Sequence, residues 1–219
     1  MGKFTLAYWP SRGFAEPARM LLEYGDVDYE NKHMASREEW GEIKPKLGMD
    51  FPNLPYIIDG DVKLTESWAI YRYIGKKLNL FPATDKEARD ADMLQGVIQD
   101  TRIGFARYAY SPDLYQKLEE LRKNQVAKIS VMEKYLKGKK YLLGEKLSFL
   151  DFALYEAYDH HRLFFTDIFD PCPNIQQYMK RFESLERIAA YFNSDRYSKF
   201  PVNGQIASWG GQKENDRKY

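Results

Sequence analysis

The stretch FPNLPYIIDGDVKLTES, residues 51–67, contains the signals that decide the fold. Two prolines stiffen the chain before a short apolar run, and Asp59-Gly60 is a turn signal that joins this run to a second one. After Leu64 the apolar residues recur at helical spacing, so a helix is expected to begin at Glu66-Ser67. The stretch therefore predicts a β-hairpin that runs directly into a helix.

The rest of the chain divides into a mixed part and a helical part. Residues 3–9 and 27–33 predict strands on either side of a helix from 14 to 25, and a polar turn is expected around 38–44. After Pro82 no strand pattern returns, and helices are predicted at about 85–110, 113–136, 148–165, 174–182 and 185–192. We therefore expect an α/β domain at 1–82, a linker at 83–84 and an all-α domain at 85–219.

Composition limits the kind of partner that the protein can have. The chain has 219 residues, and its 33 basic and 32 acidic side chains leave a net charge of +1, which gives no field to attract nucleic acid or an anionic membrane. Its one cysteine, Cys172, cannot form an intramolecular disulfide, which favours a reducing compartment. No apolar run approaches the roughly 18 residues of a membrane span. The sequence predicts a cytoplasmic protein with a small-molecule partner.

The opening stretch also contains a candidate ligand site. Pro55 at the start of a strand predicts a rigid turn, with a cis bond as one form of it, and would hold Leu54 extended with its backbone groups free to pair with a peptide. The helix start at Glu66-Ser67 supplies backbone N–H groups and a hydroxyl for a carboxylate, while the Glu66 carboxylate suits an ammonium group. A small peptide with a zwitterionic end fits both halves of this site.

Ordinary structural roles explain the same residues. Thr65-Glu66-Ser67 is also common helix-start chemistry, and Pro-Asn-Leu-Pro at 52–55 matches either a weak interaction pattern or a simple turn. Spacing alone does not decide between the binding and the structural interpretation.

Several motifs together resemble a known family. They are Tyr8-Trp9 with Arg12-Gly13, Trp40, Lys44, DFPNLPY at 50–56, Glu66-Ser67 and SFLDF at 148–152. From Leu6 to Trp209 the chain resembles the cytosolic glutathione transferases, most closely the mu class and its invertebrate members with a short segment between His33 and Trp40. The resemblance implies a thioredoxin-like amino-terminal domain that binds glutathione, an all-helical domain that contributes the electrophile site, and a homodimer. Glutathione would be the co-substrate, and no metal would be needed.

By this resemblance Tyr8 is the catalytic residue, and its hydroxyl donates a hydrogen bond to the glutathione sulfur. A free thiol has a pKa of about 8.5, so only a small part of it is thiolate at neutral pH. A hydrogen bond to a charged acceptor is worth about 1.5–3 kcal/mol, which lowers the thiol pKa by roughly one to two units. Ser11 is the alternative, because other classes of the family use a nearby serine for the same bond.

The resemblance also implies the remaining site residues. Those expected to contact glutathione are Trp9, Arg37, Trp40, Lys44, Asn53, Leu54, Pro55, Glu66 and Ser67, together with Asp100 reaching from the neighbouring subunit. The electrophile would lie against Ile103, Ala106, Tyr110 and Asn203. Phe51 and Arg72 would form the dimer contact.

The resemblance implies one main reaction and two alternatives. The main hypothesis is detoxification by addition of the glutathione thiolate to hydrophobic electrophiles. The alternatives are a glutathione-dependent isomerase similar to the sigma class and a non-catalytic carrier of apolar ligands. Glu66 stands where mu enzymes usually have glutamine, and AEPAR at 15–19 is closer to sigma-class proteins. His160-His161 are adjacent on a predicted helix and point apart, so no metal site is expected there.

Overall fold

A computed structural model describes residues 4–211, and the amino-terminal part of this range is a sheet with helices packed against it. The strands are β1 (Phe4–Tyr8), β2 (Tyr29–His33), β3 (Tyr56–Asp59) and β4 (Val62–Thr65). The helices of this part are α1 (Glu16–Tyr24), α2 (Arg37–Ile43) and α3 (Ser67–Lys77), with a 3-10 turn at Lys44–Lys46. The predicted α/β fold of this part is confirmed.

The sheet has the strand order β2-β1-β3-β4. β1 and β2 run parallel because α1 provides the crossover between them, whereas β3 runs antiparallel to β1 and to β4. The predicted hairpin turn closes β3 onto β4, and Gly60 there has a φ of +61°, which glycine adopts without steric cost. Ala7 pairs with Tyr56, so the register sets Tyr8, at the end of β1, opposite the Leu54-Pro55 segment.

The remainder of the described chain is helical, as predicted. It contains α4 (Asp85–Ala109), α5 (Leu118–Leu136), α6 (Phe149–Phe164), α7 (Pro173–Glu183) and α8 (Glu186–Phe192), with a 3-10 turn at Leu114–Gln116. The predicted capping box at Ser148 is present, with Asp151 as its second member. Almost every residue of α6 is buried, so this helix is the centre of the helical part. Within residues 4–211, no helix has both the length and the apolar composition needed to cross a bilayer.

Two local predictions are wrong. The segment predicted as a polar turn at 38–44 is helix α2, because Ser36 caps it by accepting a hydrogen bond from the Glu39 N–H at 3.1 Å. The Glu39 carboxylate accepts in return from the Ala35 N–H at 2.6 Å. The helix predicted from 113 begins only at Leu118, because the chain first makes the 3-10 turn.

The sheet part and the helical part are joined by a buried ion cluster. Arg12, in the loop after β1, donates to the Glu156 carboxylate at 2.5 Å and to the Asp159 carboxylate at 2.6 Å, both on α6. The Arg12 side chain is 2% exposed, so these bonds are shielded from water. The backbone N–H groups of Arg12 and Gly13 also donate to the carbonyls of Pro201 and Val202. The loop that carries the end of β1 is therefore fixed against both α6 and the carboxyl-terminal segment.

Candidate active site

Tyr8 ends β1 and lies at the centre of the candidate site. Its side chain is only 8% exposed. Burial raises the pKa of its hydroxyl from 10.0 to about 12, although a hydrogen bond with the Phe14 backbone and the charge of Arg102 oppose the rise. A bond that lowers a phenol pKa is one that the oxygen accepts, so the hydroxyl proton remains available for donation. At neutral pH Tyr8 is a neutral hydrogen-bond donor.

Gly13 lets the backbone pass against the ring of Tyr8. A Cβ at position 13 would lie 2.6 Å from the Tyr8 Cε1 and 2.7 Å from its hydroxyl oxygen, and the residue has a φ of +41°. Both observations require glycine. The turn therefore holds the hydroxyl of Tyr8 within reach of the Phe14 backbone.

Two side chains outside the predicted set support this turn. Arg102 on α4 donates to the Gly13 carbonyl at 3.1 Å and to the Tyr71 hydroxyl at 3.1 Å. The Tyr71 hydroxyl donates in turn to the Phe14 carbonyl, and Ser67 is a further hydrogen-bond neighbour of this hydroxyl. Arg102 also lies 4.9 Å from the Phe14 ring, centroid to guanidinium carbon. The turn beside Tyr8 is thus connected to the start of α3.

Sequence reasoning missed Arg102 and Tyr71, although a signal for Arg102 exists. On α4, Arg102 falls four residues after Ile98 and three before Phe105, both of which are buried. Burying a charged residue on the apolar stripe of a helix costs free energy unless the residue has polar partners. Its presence there therefore predicts a buried polar contact. Tyr71 falls on the apolar stripe of the helix predicted after Leu64, and that pattern gives no sign of the hydrogen bonds of its hydroxyl.

The Leu54-Pro55 peptide bond is cis. The sequence predicts that the backbone N–H of Leu54 is free. Instead it donates to the side-chain oxygen of Asn53 at 2.9 Å, because this amide can fold back onto its own backbone. The Asn53 amide nitrogen donates to Glu66 at 3.3 Å. One side chain thereby joins the two halves of the predicted site.

Glu66 is the residue before α3 and has an unusual backbone conformation. Its φ is +67° and its ψ is 116°, which non-glycine residues rarely adopt. Ser67 is the first residue of the helix, so backbone N–H groups of its first turn are exposed to the same space as the Glu66 carboxylate. Glu66 therefore directly precedes α3, and Ser67 is its first residue.

A second, smaller core brings several predicted residues together beside the sheet. Trp9, Trp40 and Leu54 all pack against the buried residues of this core, Ala7, Met34, Leu47 and Tyr56. Trp40 stacks on Tyr56 with ring centroids 6.2 Å apart, and the Lys44 ammonium lies 6.0 Å from the Trp40 ring. Arg37 is exposed at the start of α2. Trp40 on α2 and Lys44 in the 3-10 turn after it therefore lie together beside this second core.

The predicted electrophile residues lie at the carboxyl end of α4. Ile103 and Ala106 are half-buried, and their spacing puts them with Tyr110 on one helix face. Tyr110 is 42% exposed, and its hydroxyl accepts a hydrogen bond from the Gly204 N–H at 2.7 Å. Asn203 is different: its side chain is 7% exposed and donates to the Trp209 carbonyl at 3.0 Å. The structure directs Asn203 into the carboxyl-terminal loop, because its amide satisfies a buried carbonyl there.

Of the remaining predicted residues, Phe51 and Asp100 are exposed and Arg72 is half-buried. Phe51 is 79% exposed, which is unusual for a phenylalanine. Arg72 pairs with Asp92 and donates to Gln95 at 2.9 Å. Asp100 is exposed on α4, and its backbone carbonyl accepts from Lys128 at 2.8 Å. None of the partners named here for these three residues is Tyr8.

Ser11 lies in a different place from Tyr8. It lines a cleft with Arg19, Asn31 and Arg196, and Tyr8 does not line that cleft. His160 and His161 also have separate partners, Glu156 at 2.6 Å and Gln125 at 2.9 Å. Among residues 4–211 no group of three or more His, Cys, Asp or Glu side chains is placed to hold a metal ion.

Together, a four-stranded mixed sheet that ends in a buried tyrosine, a cis-proline turn and an adjoining helical part define a thioredoxin-like domain fused to an all-helical domain. Solved structures of this architecture support the assignment. The crystal structure of the glutathione S-transferase Blo t 8 matches with a TM-score of 0.88 at 33% identity, covering 94% of this chain and 99% of that one. The Pi-class glutathione S-transferase of Onchocerca volvulus matches with a TM-score of 0.84 at 26% identity, covering 94% of this chain and 100% of that one.

The chain belongs to the glutathione S-transferase family. The family model of the N-terminal domain matches residues 4–76, and that of the C-terminal domain matches residues 99–195. Glutathione S-transferase 2 of Gallus gallus is 40% identical over 218 residues, covering 96% of this chain and 99% of the relative. Glutathione S-transferase Mu 1 of Bos taurus is 39% identical over 214 residues, covering 94% and 98%. The resemblance to mu-class proteins is thereby confirmed.

Proposed function

We propose that the protein is a glutathione transferase that joins the glutathione thiolate to carbon atoms of hydrophobic electrophiles, in detoxification. The observation that carries the proposal is Tyr8, a buried and neutral phenol whose hydroxyl proton is free to donate. Tyr8 stands opposite the cis-proline turn. The chain belongs to a family whose named members are glutathione S-transferases. The sulfur of a bound glutathione would accept the hydrogen bond from this hydroxyl.

The energetics of this bond favour Tyr8 as the catalytic residue. A donor that is itself neutral stabilises a thiolate without protonating it, because the Tyr8 pKa of about 12 lies well above that of a thiol. One bond of about 1.5–3 kcal/mol lowers the thiol pKa by roughly one to two units. Bound glutathione would then be largely ionised at neutral pH. Ser11 is the less suitable donor, since it faces a cleft that Tyr8 does not line.

Glutathione would lie from Tyr8 across the cis-proline turn to the start of α3. We assign its contacts to the side chains of Trp9, Arg37, Trp40, Lys44, Asn53, Glu66 and Ser67 and to the backbone beside Pro55. The cysteinyl backbone would pair with Leu54, and for this the Asn53 oxygen must release the Leu54 N–H. The γ-glutamyl carboxylate would accept from the first turn of α3, while Glu66 would attract the ammonium group. Arg37 and Lys44 are the cations available for the glycyl carboxylate.

The electrophile would bind beside Tyr8 at the carboxyl end of α4. Ile103 and Ala106 supply an apolar wall, and Tyr110 supplies a hydroxyl that can stabilise a leaving group. We assign Asn203 to the loop that carries Gly204 to this site, because its own amide is bonded to Trp209.

We further propose a cytoplasmic homodimer. Its support is the exposed Phe51, which would insert into the second subunit, with Arg72 near the symmetry axis and Asp100 reaching the neighbour's glutathione. The two domains would divide at 83–84, between α3 and α4, with their ends at 1–3 and 212–219 lying outside the described residues. Sedimentation of Phe51→Ala should give a larger share of monomer, and an unchanged dimer would contradict the contact.

A direct assay separates the proposed reaction from its alternatives. The purified protein is given glutathione with a chlorinated dinitrobenzene, and in parallel with a prostaglandin endoperoxide. We expect conjugation that follows saturation kinetics in both substrates. Isomerisation without conjugation would indicate a sigma-like enzyme, and retention on immobilised glutathione without either reaction would indicate a carrier.

A further inference from the structure

A second cleft lies on the border between the sheet part and the helical part. It has a volume of about 220 Å³ and is formed by the loop after β1, by α1, by β2 and by the segment 196–201. No residue assigned above to glutathione or to the electrophile lines it. The cleft is therefore separate from the proposed active site.

Three guanidinium groups lie in the walls of this cleft, and each also has a carboxylate partner within the chain. Arg12, Arg19 and Arg196 contribute three guanidinium groups, while Glu16 is the carboxylate among the lining residues. Glu16 is already satisfied, because its two oxygens accept from Arg19 at 2.8 Å and from the Tyr191 hydroxyl at 2.8 Å. Arg12 is bonded to Glu156 and Asp159, and Arg196 is paired with Glu23, so Arg19 is the cation through which an acidic ligand would gain a new bond.

Arg19 has donor capacity that the chain does not use. Its Nε donates to Asn31 at 3.1 Å, and its Nη1 donates to the Ser11 carbonyl at 3.0 Å and to Glu16. Its Nη2 is buried and has no hydrogen-bond partner among residues 4–211. The side chain is 5% exposed and lines the cleft, so the missing acceptor would have to enter through the cleft. A buried guanidinium nitrogen of this kind calls for an acceptor from a ligand.

The other side of the cleft is apolar. Pro10, Phe200 and Pro201 supply hydrocarbon surface next to the arginines. His33 adds no positive charge at neutral pH, since burial and the nearby charge of Arg19 lower its pKa. A ligand that fits must therefore combine one acidic group with a compact apolar body.

We propose that this cleft binds a small aromatic or aliphatic carboxylate, with its acid group on Arg19 and Arg196 and its body against Phe200 and the two prolines. A carboxylate matches the fork of a guanidinium group and accepts from two nitrogens at once. Because the lining residues come from both parts of the chain, the ligand would also stabilise their contact. The proposal does not depend on the reaction at Tyr8.

Benzoate is a suitable probe, and benzamide is its neutral counterpart of the same shape. Titration is followed by amide NMR shifts in the protein with glutathione present. We expect saturable shifts at Ser11, Arg19 and Asn31 with benzoate, and at least tenfold weaker binding of benzamide. Equal binding of both compounds, or shifts confined to Tyr8 and Tyr110, would overturn the proposal.

A pair of matched arginine variants gives the second test. Arg196 and Arg187 are both half-exposed, and each pairs with one carboxylate, Glu23 and Asp26, but only Arg196 lines the cleft. We expect Arg196→Ala to weaken benzoate binding about fivefold, as loss of one exposed charge-assisted bond would, and Arg187→Ala to leave it unchanged. Equal affinity in the two variants would contradict the site. Both positions are on the surface, so both variants should fold.

Discussion

Gly13 determines how closely the backbone can pass the ring of Tyr8. In Gly13→Ala the new Cβ would meet Tyr8 at 2.6 Å, so either the ring or the turn must move. We expect kcat to fall by at least tenfold, since a displaced hydroxyl no longer meets the sulfur, with a smaller change in the KM for glutathione. Steady-state kinetics with both substrates varied would measure this.

Gly96→Ala is the matched control for this substitution. Gly96 lies inside α4, and a Cβ there would meet no atom within 4 Å. The change should leave kcat as it is and stabilise the helix by roughly 0.5–1 kcal/mol. If the two variants lost activity equally, close contact at Gly13 would not be the cause.

The raised pKa of Tyr8 has a consequence at alkaline pH. Because the folded protein holds the phenol neutral up to about 12, against 10.0 for an ordinary tyrosine, folding gains stability from Tyr8 below pH 10 and loses it as pH rises towards 12. Tyr8→Phe removes this loss. The difference in unfolding free energy between the parent and the variant should therefore shrink above pH 10, as followed by urea titration at several pH values.

At the level of single residues, sequence supports some assignments and not others. Tyr8, Trp40 and Leu54 were predicted from a motif resemblance. The fold brings the elements that carry them together at one end of the sheet. Arg102 and Tyr71 were missed, because their roles arise from contacts between α3, α4 and the turn at Gly13. These contacts join residues that are far apart in the chain, 89 positions for Arg102 and Gly13 and 31 for Arg102 and Tyr71, and local spacing does not predict them.

Helix α2 is capped by the Ser36 side chain, and it carries residues proposed to hold glutathione. Ser36→Ala removes the acceptor for the Glu39 N–H and should cost about 1 kcal/mol of helix stability. Arg37, Trp40 and Lys44 would then be less well ordered. We expect a several-fold higher KM for glutathione with kcat nearly unchanged, because Tyr8 is on another element.

Thr84→Ala provides the comparison, since Thr84 caps α4 by the same kind of bond, to the Glu87 N–H at 3.2 Å. Its loss should lower stability by a similar amount, about 1 kcal/mol, without changing the KM for glutathione. Thermal unfolding and kinetics on both variants measure this. A raised KM in Thr84→Ala would point to general loosening rather than to α2.

The wrong prediction at α2 has a local cause, and the sequence contains the signal that would have corrected it. Ser36 and Glu39 are three residues apart, the spacing of a capping box, but the polar composition of the segment suggested a turn.

The free N–H expected at Leu54 was a different error. Spacing could not reveal that the Asn53 side chain would occupy that donor, because the choice depends on how Glu66 orients the amide.

A buried ion cluster joins the sheet part of the molecule to its helical part. Burial alone would raise the pKa of Glu156 and of Asp159, but Arg12 outweighs it and lowers both. Glu156→Gln leaves Arg12 with less compensation and should destabilise the fold by about 3–5 kcal/mol. Calorimetric unfolding at pH 7 would test this. Asp90→Asn, which removes one charge of an exposed pair on α4, should leave the midpoint unchanged.

The same cluster predicts how stability depends on acid. A carboxylate whose pKa is lowered by folding adds stability above its unfolded value, near 4.5 for Glu156, and loses it as pH falls below that value. His161 acts earlier: burial lowers its pKa from 6.5 to about 4, so its contribution begins to fade below pH 6.5. Parent protein should therefore lose stability from pH 6.5 downwards, and Glu156→Gln should lose less of it below 4.5.

The division into a sheet part and a helical part followed from periodicity, because a change from alternating to helical spacing is a local signal that persists over many residues. Periodicity did not predict the ion cluster. Arg12 and Glu156 are 144 positions apart, and local spacing gives no sign that the two side chains meet. Only folding reveals that they lie together beneath the loop that positions Tyr8.

The most direct measurement is the acidity of the glutathione thiol when bound to the parent protein and to Tyr8→Phe, followed by the ultraviolet absorbance of the thiolate. We expect the bound thiol to titrate roughly one to two units below its free pKa of about 8.5 in the parent, and close to the free value in the variant. Equal thiol acidity in the two proteins, with equal turnover, would contradict the assignment of Tyr8.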